Sequence, residues 1–192
     1  MLTHLDDLGK SGAQYARWYA DENAIYVDNV VPRSRLAKVL LDRAEVEAVV
    51  FVDDFIGSGR AASDDLHEFA AMFSEGIPDL RWIFVAISGF ASGAQAVESA
   101  ASKLGIGLEV RLCDPLPDSA RCFEGEEVYP DPVERDLARS IAYEHGVKLV
   151  STDPLGYGQG QALVVFDSSI PNNCPPVLWH SSGDWTPLFR RI

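Results

Sequence analysis

The sequence is poor in positive charge and has no long apolar run. Of its 192 residues, 16 are Lys or Arg and 29 are Asp or Glu, which gives a formal net charge of −13. A nucleic-acid surface needs a basic face and anionic membranes attract basic proteins, so we expect neither as a partner. No apolar stretch approaches the ~20 residues of a membrane-spanning helix. An anionic substrate would have to meet locally positive groups or arrive with Mg²⁺.

Metal-binding and redox motifs are absent as well. The cysteines Cys113, Cys122 and Cys174 have no metal-ligand spacing and the four histidines are scattered, so we expect no zinc site. An odd number of cysteines suggests reduced thiols, and residues Met1–Asp7 lack the shape of a signal peptide. Both features predict a cytoplasmic protein.

Internal repeats, low-complexity segments and two common catalytic motifs are also missing. No loop ends in the Gly-Lys-Ser/Thr of a Walker A motif, and no nucleophile elbow precedes a Ser-His-Asp order. Apolar residues make up 47% of the chain and charged residues 23%, which is ordinary for a globular protein. The length suits one domain with a full core, so we predict a single domain over 1–192.

The periodic segments of the chain alternate in type. Apolar residues at helical spacing predict helices at 13–22, 33–45, 61–74, 94–103 and 132–144, the last ended by Gly146. Apolar runs predict strands at 48–53, 82–87, 108–112 and 163–167, with a loop at Ser88–Gly93 and irregular structure at 113–129. This order predicts an α/β fold, a parallel sheet with helices on both faces. Right-handed crossovers then place Asp53–Asp54 and Ser88–Gly89 at one edge of the sheet.

Residues Val49–Ala61 carry the most information about function. Four apolar residues predict a strand buried on both faces, and Asp53 and Asp54 follow at the strand end, where open α/β sheets bind ligands. The next residues, Gly57-Ser58-Gly59, lead into a predicted helix. Glycines allow a tight turn that presents backbone N–H groups to an anion, and the helix N-terminus adds partial positive charge. Two carboxylates that can accept hydrogen bonds from hydroxyls or bind a metal thus lie beside a loop that can bind an anion. This combination suits a phosphorylated sugar.

This segment resembles the signature of type I phosphoribosyltransferases that binds 5-phosphoribosyl-1-pyrophosphate (PRPP). Val49–Gly59 match its order of four apolar, two acidic and two mostly apolar residues before a run of Thr, Ser and Gly. The resemblance implies the type I phosphoribosyltransferase fold, with Asp53 and Asp54 as catalytic residues that hold the ribose hydroxyls. It assigns the 5-phosphate to Gly57, Ser58, Gly59, Arg60 and Ala61. Mg²⁺ is expected to be held mainly through the substrate, with Asp53 and Asp54 as its candidate protein ligands.

One position of the loop departs from that family. The family often has a Thr whose hydroxyl touches the phosphate where this chain has Ala61. Ser58 or Ser63 would supply the missing hydroxyl, or the backbone would suffice. Arg60 is unusual in the loop but suits direct pairing with phosphate.

Three further positions are candidates for substrate contacts. Lys10-Ser11-Gly12 precede a predicted helix and are interpreted either as a helix start capped by Ser11 or as the family's pyrophosphate-binding loop. Phe90 is a candidate for stacking on the base or other acceptor, and Tyr157 for stacking or a hydrogen bond. The alternative for each is a purely structural role in a loop or turn.

Motifs in the C-terminal part of the chain resemble those of one subgroup of this family. Pro154–Gly158, Pro171–Asn173, Pro176–Trp179 and Trp185–Phe189 look like motifs of the phosphoribosyltransferase-like domains of bacterial anti-phage conflict systems. By this resemblance, segments near 113–130 and 151–192 form a small hood-like region over the acceptor. A role in anti-phage defence is implied by the resemblance alone.

The resemblance implies transfer of the phosphoribosyl group from PRPP to a nitrogen acceptor with loss of pyrophosphate and Mg²⁺ as cofactor. A second hypothesis is a non-catalytic PRPP or nucleotide sensor, and a third is another nucleotide-handling α/β protein that uses Asp53 and Asp54 for Mg²⁺. The acceptor stays open among purines, pyrimidines, amines and protein side chains. A homodimer or a protein partner is also consistent with the resemblance.

Overall fold

The computed structural model describes residues 1–5, 11–73, 76 and 78–190. The chain divides into two compact units, Met1–Pro115 and Leu116–Ile192. The first unit alternates strands and helices in chain order. These are β1 (Leu2–Thr3), α1 (Ser11–Glu22), α2 (Arg33–Asp42), β2 (Ala48–Ile56), α3 (Arg60–Ala70), β3 (Arg81–Phe90), α4 (Ala91–Lys103) and β4 (Leu108–Leu116), which ends at the first residue of the second unit.

The strands form one parallel sheet in the order β1-β2-β3-β4. Leu2 of β1 lies beside Val50 of β2, and Phe55 of β2 lies beside Ser88 of β3. This register confirms that the ends of β2 and β3 share one edge of the sheet. The prediction of a parallel α/β sheet is therefore correct.

Helices cover both faces of the sheet because β2 is apolar on both sides. Val49 and Phe51 belong to a core cluster with residues of α2, α3 and α4. Val50 and Val52 belong to a second cluster with Tyr15 of α1. Successive strand residues point to opposite faces, so α1 lies on one face and α2, α3 and α4 lie on the other. The predicted arrangement of helices on both faces is confirmed.

One strand of the sheet was not predicted, and three strands continue beyond their predicted ends. One of these is β4, which runs past Leu112 to Leu116 and so into the segment 113–129 that was predicted to be irregular. The strand β1 was not predicted, because two residues are too few to show a period of two. The strand β2 does not end at Asp53 but runs to Ile56. The predicted loop Ser88–Gly93 is wrong, since β3 continues to Phe90 and α4 begins at Ala91. Extended pairing with a neighbouring strand overrode the weak strand propensity of Asp, Ser and Gly in β2 and β3.

The second unit is built from helices and loops. It contains α5 (Pro132–Leu149) and the short α6 (Pro176–Trp179), with 3₁₀ turns at Asp118–Ala120 and Tyr157–Gln159. Its core includes Cys122, Phe123, Ala142 and Leu155. Of the two predicted hood-like segments, all but 113–115 lie in this unit, and their role as a hood stays a prediction.

Two predictions in the second unit are wrong. Residues 163–167 form no strand, because an apolar run becomes a strand only where a partner strand accepts its hydrogen bonds. Gly146 does not end α5, which continues to Leu149. A Cβ atom on Gly146 would lie 2.1 Å from the carbonyl oxygen of Pro154. This glycine therefore serves close packing inside the helix rather than termination.

None of the helices in the described ranges is both long and apolar enough to cross a membrane.

Candidate functional site

The acid pair lies in the C-terminal half of β2, followed by Phe55 and Ile56. Asp54 is buried, with 7% of its surface exposed, and Asp53 is half-buried. Each carboxylate accepts a hydrogen bond at 2.9 Å from the backbone N–H of the next residue, Asp53 from Asp54 and Asp54 from Phe55. These short-range bonds hold both carboxylates at the strand end. Because adjacent strand residues point to opposite faces, Asp54 lies on the same face as Val52 and α1.

The start of α1 reaches this acid pair. Ser11 is the first residue of α1, and its hydroxyl donates to Oδ1 of Asp54 at 3.4 Å. Gly12 follows and is buried, while Lys10 lies outside the described residues. The structure thus brings Ser11 and Asp54 together, although 43 positions separate them in the chain. Their proposed contact with pyrophosphate stays a prediction.

The loop after β2 turns directly into α3. Gly57 and Gly59 are buried and Ser58 is half-buried. Gly59 adopts a φ of 76°, in the left-handed region that favours glycine, and α3 begins at the next residue. The hydroxyl of Ser58 accepts from the backbone N–H of Arg60 at 3.4 Å. The loop therefore leads into a helix N-terminus at the carboxyl edge of the sheet, where partial positive charge favours an anion.

Ser63 lies close to the same turn, and its hydroxyl already forms a hydrogen bond within it. Its hydroxyl donates to the carbonyl oxygen of Gly59 at 2.7 Å. The Ser63 hydroxyl therefore stabilises the loop itself. Of the two serines that could replace the hydroxyl missing at Ala61, Ser58 is the better placed.

Glycines on β3 and α4 allow the backbone of this loop to pack closely against these elements. A Cβ atom on Gly59 would lie 2.4 Å from the carbonyl oxygen of Gly93, and one on Gly93 would lie 2.1 Å from that of Gly57. A Cβ on Gly89 would lie 2.7 Å from the carbonyl oxygen of Ile56. The backbone of the loop thus rests against the first turn of α4. Sequence reasoning missed this role of Gly89 and Gly93, whose only signal was their spacing after an apolar run.

Arg60 supplies positive charge beside the loop. Both Arg60 and Ala61 are exposed. In the part of the chain that the structure describes, the Arg60 guanidinium has no ion-pair partner, whereas Arg33 pairs with Asp65 at 3.6 Å and Glu68 at 3.0 Å. An unpaired guanidinium at a helix N-terminus is suited to bind a phosphate.

The two candidates for acceptor contacts have different outcomes. Phe90 is wholly buried and meets the ring of Phe55 edge-on, with centroids 5.7 Å apart. A ring without exposed surface offers no face to a base, so the prediction that Phe90 stacks on the acceptor is corrected. Tyr157 belongs to the second unit, is half-buried and begins a 3₁₀ turn. Its contact with an acceptor stays a prediction.

The acid pair fits a magnesium ion that is held largely by substrate. Within the described residues, no group of three or more His, Cys, Asp or Glu side chains is placed to hold a metal. Mg²⁺ usually keeps several waters and binds one or two carboxylates together with substrate phosphates. One or two carboxylates without a third protein ligand match that mode and do not match a cage made by protein alone.

Two of the three cysteines are buried, and the pKa of one of them is raised. Cys122 and Cys174 are buried, Cys113 is exposed, and all three are free thiols. Burial, together with the nearby Cys174, raises the pKa of the Cys122 thiol to about 11. The thiol of Cys122 is therefore protonated at neutral pH and is a poor nucleophile.

Comparison with known proteins places the chain in a family. No curated protein and no solved structure matches it. The family model PRTase-CE matches residues 2–191, which include the acid pair, the glycine loop and both units. With the parallel sheet and the acid pair near the end of β2, this match over nearly the whole chain identifies the protein as a member of PRTase-CE, a phosphoribosyltransferase-like family.

Proposed function

We propose that this protein binds PRPP with Mg²⁺ and transfers the phosphoribosyl group to a nitrogen acceptor with loss of pyrophosphate. Membership of a phosphoribosyltransferase-like family supports phosphoribosyl transfer as the reaction class. The observation that carries the proposal is the acid pair Asp53–Asp54 near the end of β2, two residues before a glycine loop that enters α3. One element thus offers acceptors for ribose hydroxyls and a cradle for a phosphate.

Asp53 and Asp54 orient the ribose. Carboxylates accept hydrogen bonds from the ribose 2- and 3-hydroxyls, and their negative charge favours a reacting carbon that becomes positive. The bond from C1 to the pyrophosphate oxygen breaks and its electron pair leaves with pyrophosphate. The acceptor nitrogen forms the new bond to C1 and releases a proton. An oxocarbenium-like transition state of this kind depends mainly on positioning and electrostatics.

The other residues hold the two phosphate groups. Gly57, Ser58, Gly59 and Arg60 bind the 5-phosphate through backbone N–H groups, the N-terminus of α3 and the Arg60 guanidinium. Ser11, at the start of α1 and in contact with Asp54, binds pyrophosphate with its neighbours Lys10 and Gly12. When bound, Mg²⁺ supplies charge neutralisation for the leaving pyrophosphate, and Asp53 and Asp54 would hold it together with the substrate.

A second candidate function is PRPP or nucleotide binding without turnover, in a sensor or regulatory module. Two observations favour it. Ala61 lacks the hydroxyl that the enzyme family often has at this position, and the Ser63 hydroxyl is committed to Gly59. For either function, we propose a place in a bacterial anti-phage system, on the strength of the C-terminal motifs.

Titration calorimetry with PRPP and Mg²⁺, compared with ribose 5-phosphate, ATP and pyrophosphate, tests the site. We expect PRPP binding that requires Mg²⁺ and is lost in the double variant Asp53→Asn, Asp54→Asn. The control Asp42→Asn, Asp79→Asn removes the same charge from exposed positions and should bind PRPP like the wild type. Equal loss in both variants, or no PRPP binding by the folded wild type, would contradict the proposal.

Release of pyrophosphate then separates the two candidate functions. A screen of purines, pyrimidines, amines and peptides that finds release with one acceptor, abolished in the Asp53, Asp54 variant, supports the transferase. Tight PRPP binding without release in the presence of any of these acceptors supports the sensor.

A further inference from the structure

A nearly buried arginine connects the chain just after β1 to α3. Arg33 is the first residue of α2, and only 14% of its side chain is exposed. Its guanidinium donates to the carbonyl oxygen of Leu5. It also pairs with two carboxylates of α3, that of Asp65 at 3.6 Å and that of Glu68 at 3.0 Å. One side chain therefore joins three segments that are far apart in the sequence.

Leu5 lies at the edge of the sheet that carries the candidate site. It follows Thr3, the last residue of β1 that pairs with β2. Because the two strands are parallel, the chain leaves β1 at the same edge as the acid pair near the end of β2. The Leu5 side chain is buried in the core cluster that includes Leu66 and Phe69 of α3. Beyond the strand pairing, this burial and the bond from Arg33 hold Leu5.

Both groups of proposed phosphate contacts adjoin the segments that Arg33 joins. The pyrophosphate candidates Lys10, Ser11 and Gly12 follow Leu5 in the chain, and Ser11 begins α1. The glycine loop proposed for the 5-phosphate leads into α3. Since a helix is rigid, the ion pairs of Arg33 with α3 also fix the start of that helix. Arg33 thus sets the carbonyl of Leu5 at a defined place relative to the 5-phosphate loop.

Stability alone gives a weak reason for a nearly buried guanidinium at this position. Taking a charge out of water is costly, and a buried ion pair replaced by apolar residues of similar volume is often no less stable. A planar guanidinium, however, donates in several fixed directions at once. It can therefore hold one backbone carbonyl and two carboxylates in a single geometry, which an apolar side chain cannot do.

We propose that Arg33 is a positioning residue for the pyrophosphate group of PRPP. The inference rests on the proposed function, because it concerns the same site. Arg33 acts through Leu5 and α3, and it does not touch the substrate itself. By fixing these two segments against each other, it sets the separation between the pyrophosphate contacts and the 5-phosphate contacts. Displacement of a binding group by about 1 Å is enough to weaken a ligand that must reach both.

Calorimetric titration with PRPP and with ribose 5-phosphate, both with Mg²⁺, tests this role, because only PRPP carries the pyrophosphate. We expect Arg33→Met to weaken PRPP binding by about ten-fold, the typical worth of a hydrogen bond to a charged group. Affinity for ribose 5-phosphate should stay within about two-fold, since its proposed contacts lie on β2 and the loop before α3. Equal weakening of both ligands would overturn the proposal, because it would show a purely structural role. Unchanged PRPP affinity would overturn it as well.

A conservative variant keeps the test decisive if Arg33→Met does not fold. Arg33→Lys retains the positive charge beside Asp65 but not the planar fork. We expect it to melt like the wild type, with a PRPP affinity between those of the wild type and Arg33→Met, and the same comparison of the two ligands applies to it.

The matched control is Arg43→Met. Arg43 likewise donates to a backbone carbonyl oxygen, that of Asp28 at 3.3 Å, and pairs with a carboxylate, that of Glu45 at 3.1 Å. This variant should bind both ligands like the wild type. Absence of PRPP binding by the folded wild type would contradict the proposed function. Binding by the wild type that stays unchanged in the folded Arg33 variants would overturn this inference alone.

Discussion

At the scale of single residues, Gly93 supports the backbone of the glycine loop at the candidate site. It lies on α4, outside the phosphate-binding signature, and a Cβ there would come within 2.1 Å of the Gly57 carbonyl oxygen. Glycine is a poor helix residue, and replacing it by alanine inside a helix normally stabilises by up to about 1 kcal/mol. The contact with Gly57 reverses that expectation, because a backbone carbonyl is not free to move aside.

We therefore predict that Gly93→Ala destabilises the protein by about 1–3 kcal/mol, the usual cost of overpacking a buried contact. Urea unfolding followed by circular dichroism measures the change. The matched control is Gly107→Ala, since a Cβ at the exposed Gly107 meets no atom within 4 Å and the effect should stay within about 0.5 kcal/mol. Equal midpoints for the two variants would show that the loop does not rest on α4.

Asp54 shows how one residue combines two kinds of contact. Its carboxylate accepts a local hydrogen bond from Phe55 and a distant one from Ser11. The local bond follows from the chain itself, whereas the distant bond exists only because α1 packs on the face of β2 that carries Val52 and Asp54. We therefore expect a substitution at Asp54 to affect the contact with α1 as well as the proposed ligand binding.

At the scale of elements, α5 shows a helix start that the sequence specifies and an end that it does not. Asp131 accepts hydrogen bonds from the backbone N–H groups of Val133 at 2.7 Å and Glu134 at 3.4 Å, and Pro132 occupies the first helical position. Both features are standard helix-start signals. The end of α5 instead depends on contacts, since Gly146 packs against Pro154 and the helix continues to Leu149.

We predict that Asp131→Ala lowers the free energy of unfolding by about 1 kcal/mol, the usual cost of losing an N-cap. Thermal and urea unfolding of the two proteins measure the difference. Asp136→Ala is the matched control, because this exposed aspartate lies inside the same helix and its side chain caps nothing. A loss as large for Asp136→Ala would mean that charge, rather than capping, accounts for the effect.

At the scale of the whole molecule, charge separates this protein from nucleic-acid binders. The net charge of −13 repels a polyanion, and the binding of proteins to nucleic acids depends on neutralising phosphates with Lys and Arg. A single unpaired guanidinium such as Arg60 suits one phosphate group but not a phosphate backbone. We therefore expect the molecule to bind a small phosphorylated ligand and not a nucleic acid.

We predict that fluorescence anisotropy detects no binding of single- or double-stranded oligonucleotides, with any dissociation constant weaker than about 10⁻⁴ M even at low salt. PRPP with Mg²⁺, measured by calorimetry in the same buffer, is the positive control for an active preparation. Oligonucleotide binding that weakens as salt increases would reveal a basic surface and contradict this prediction.

The sequence by itself determined the class of fold and the position of the candidate site. Apolar runs that alternate with segments of helical spacing favour a parallel sheet with helices around it, and the structure has that sheet. The acid pair and the glycine loop are contiguous in the chain, so their order on a strand, a turn and a helix follows from local chemistry. These features depend on local sequence and not on contacts between distant residues, so the sequence alone predicts them.

Only the tertiary structure decided which distant residues meet. Ser11 contacts Asp54, Gly93 contacts the loop, and Phe90 is buried against Phe55, although its position after a strand favoured exposure at the site. Residues 163–167 form no strand because they do not pair with another strand. The partners of a side chain or a strand depend on how separate elements pack, and local composition does not encode that packing.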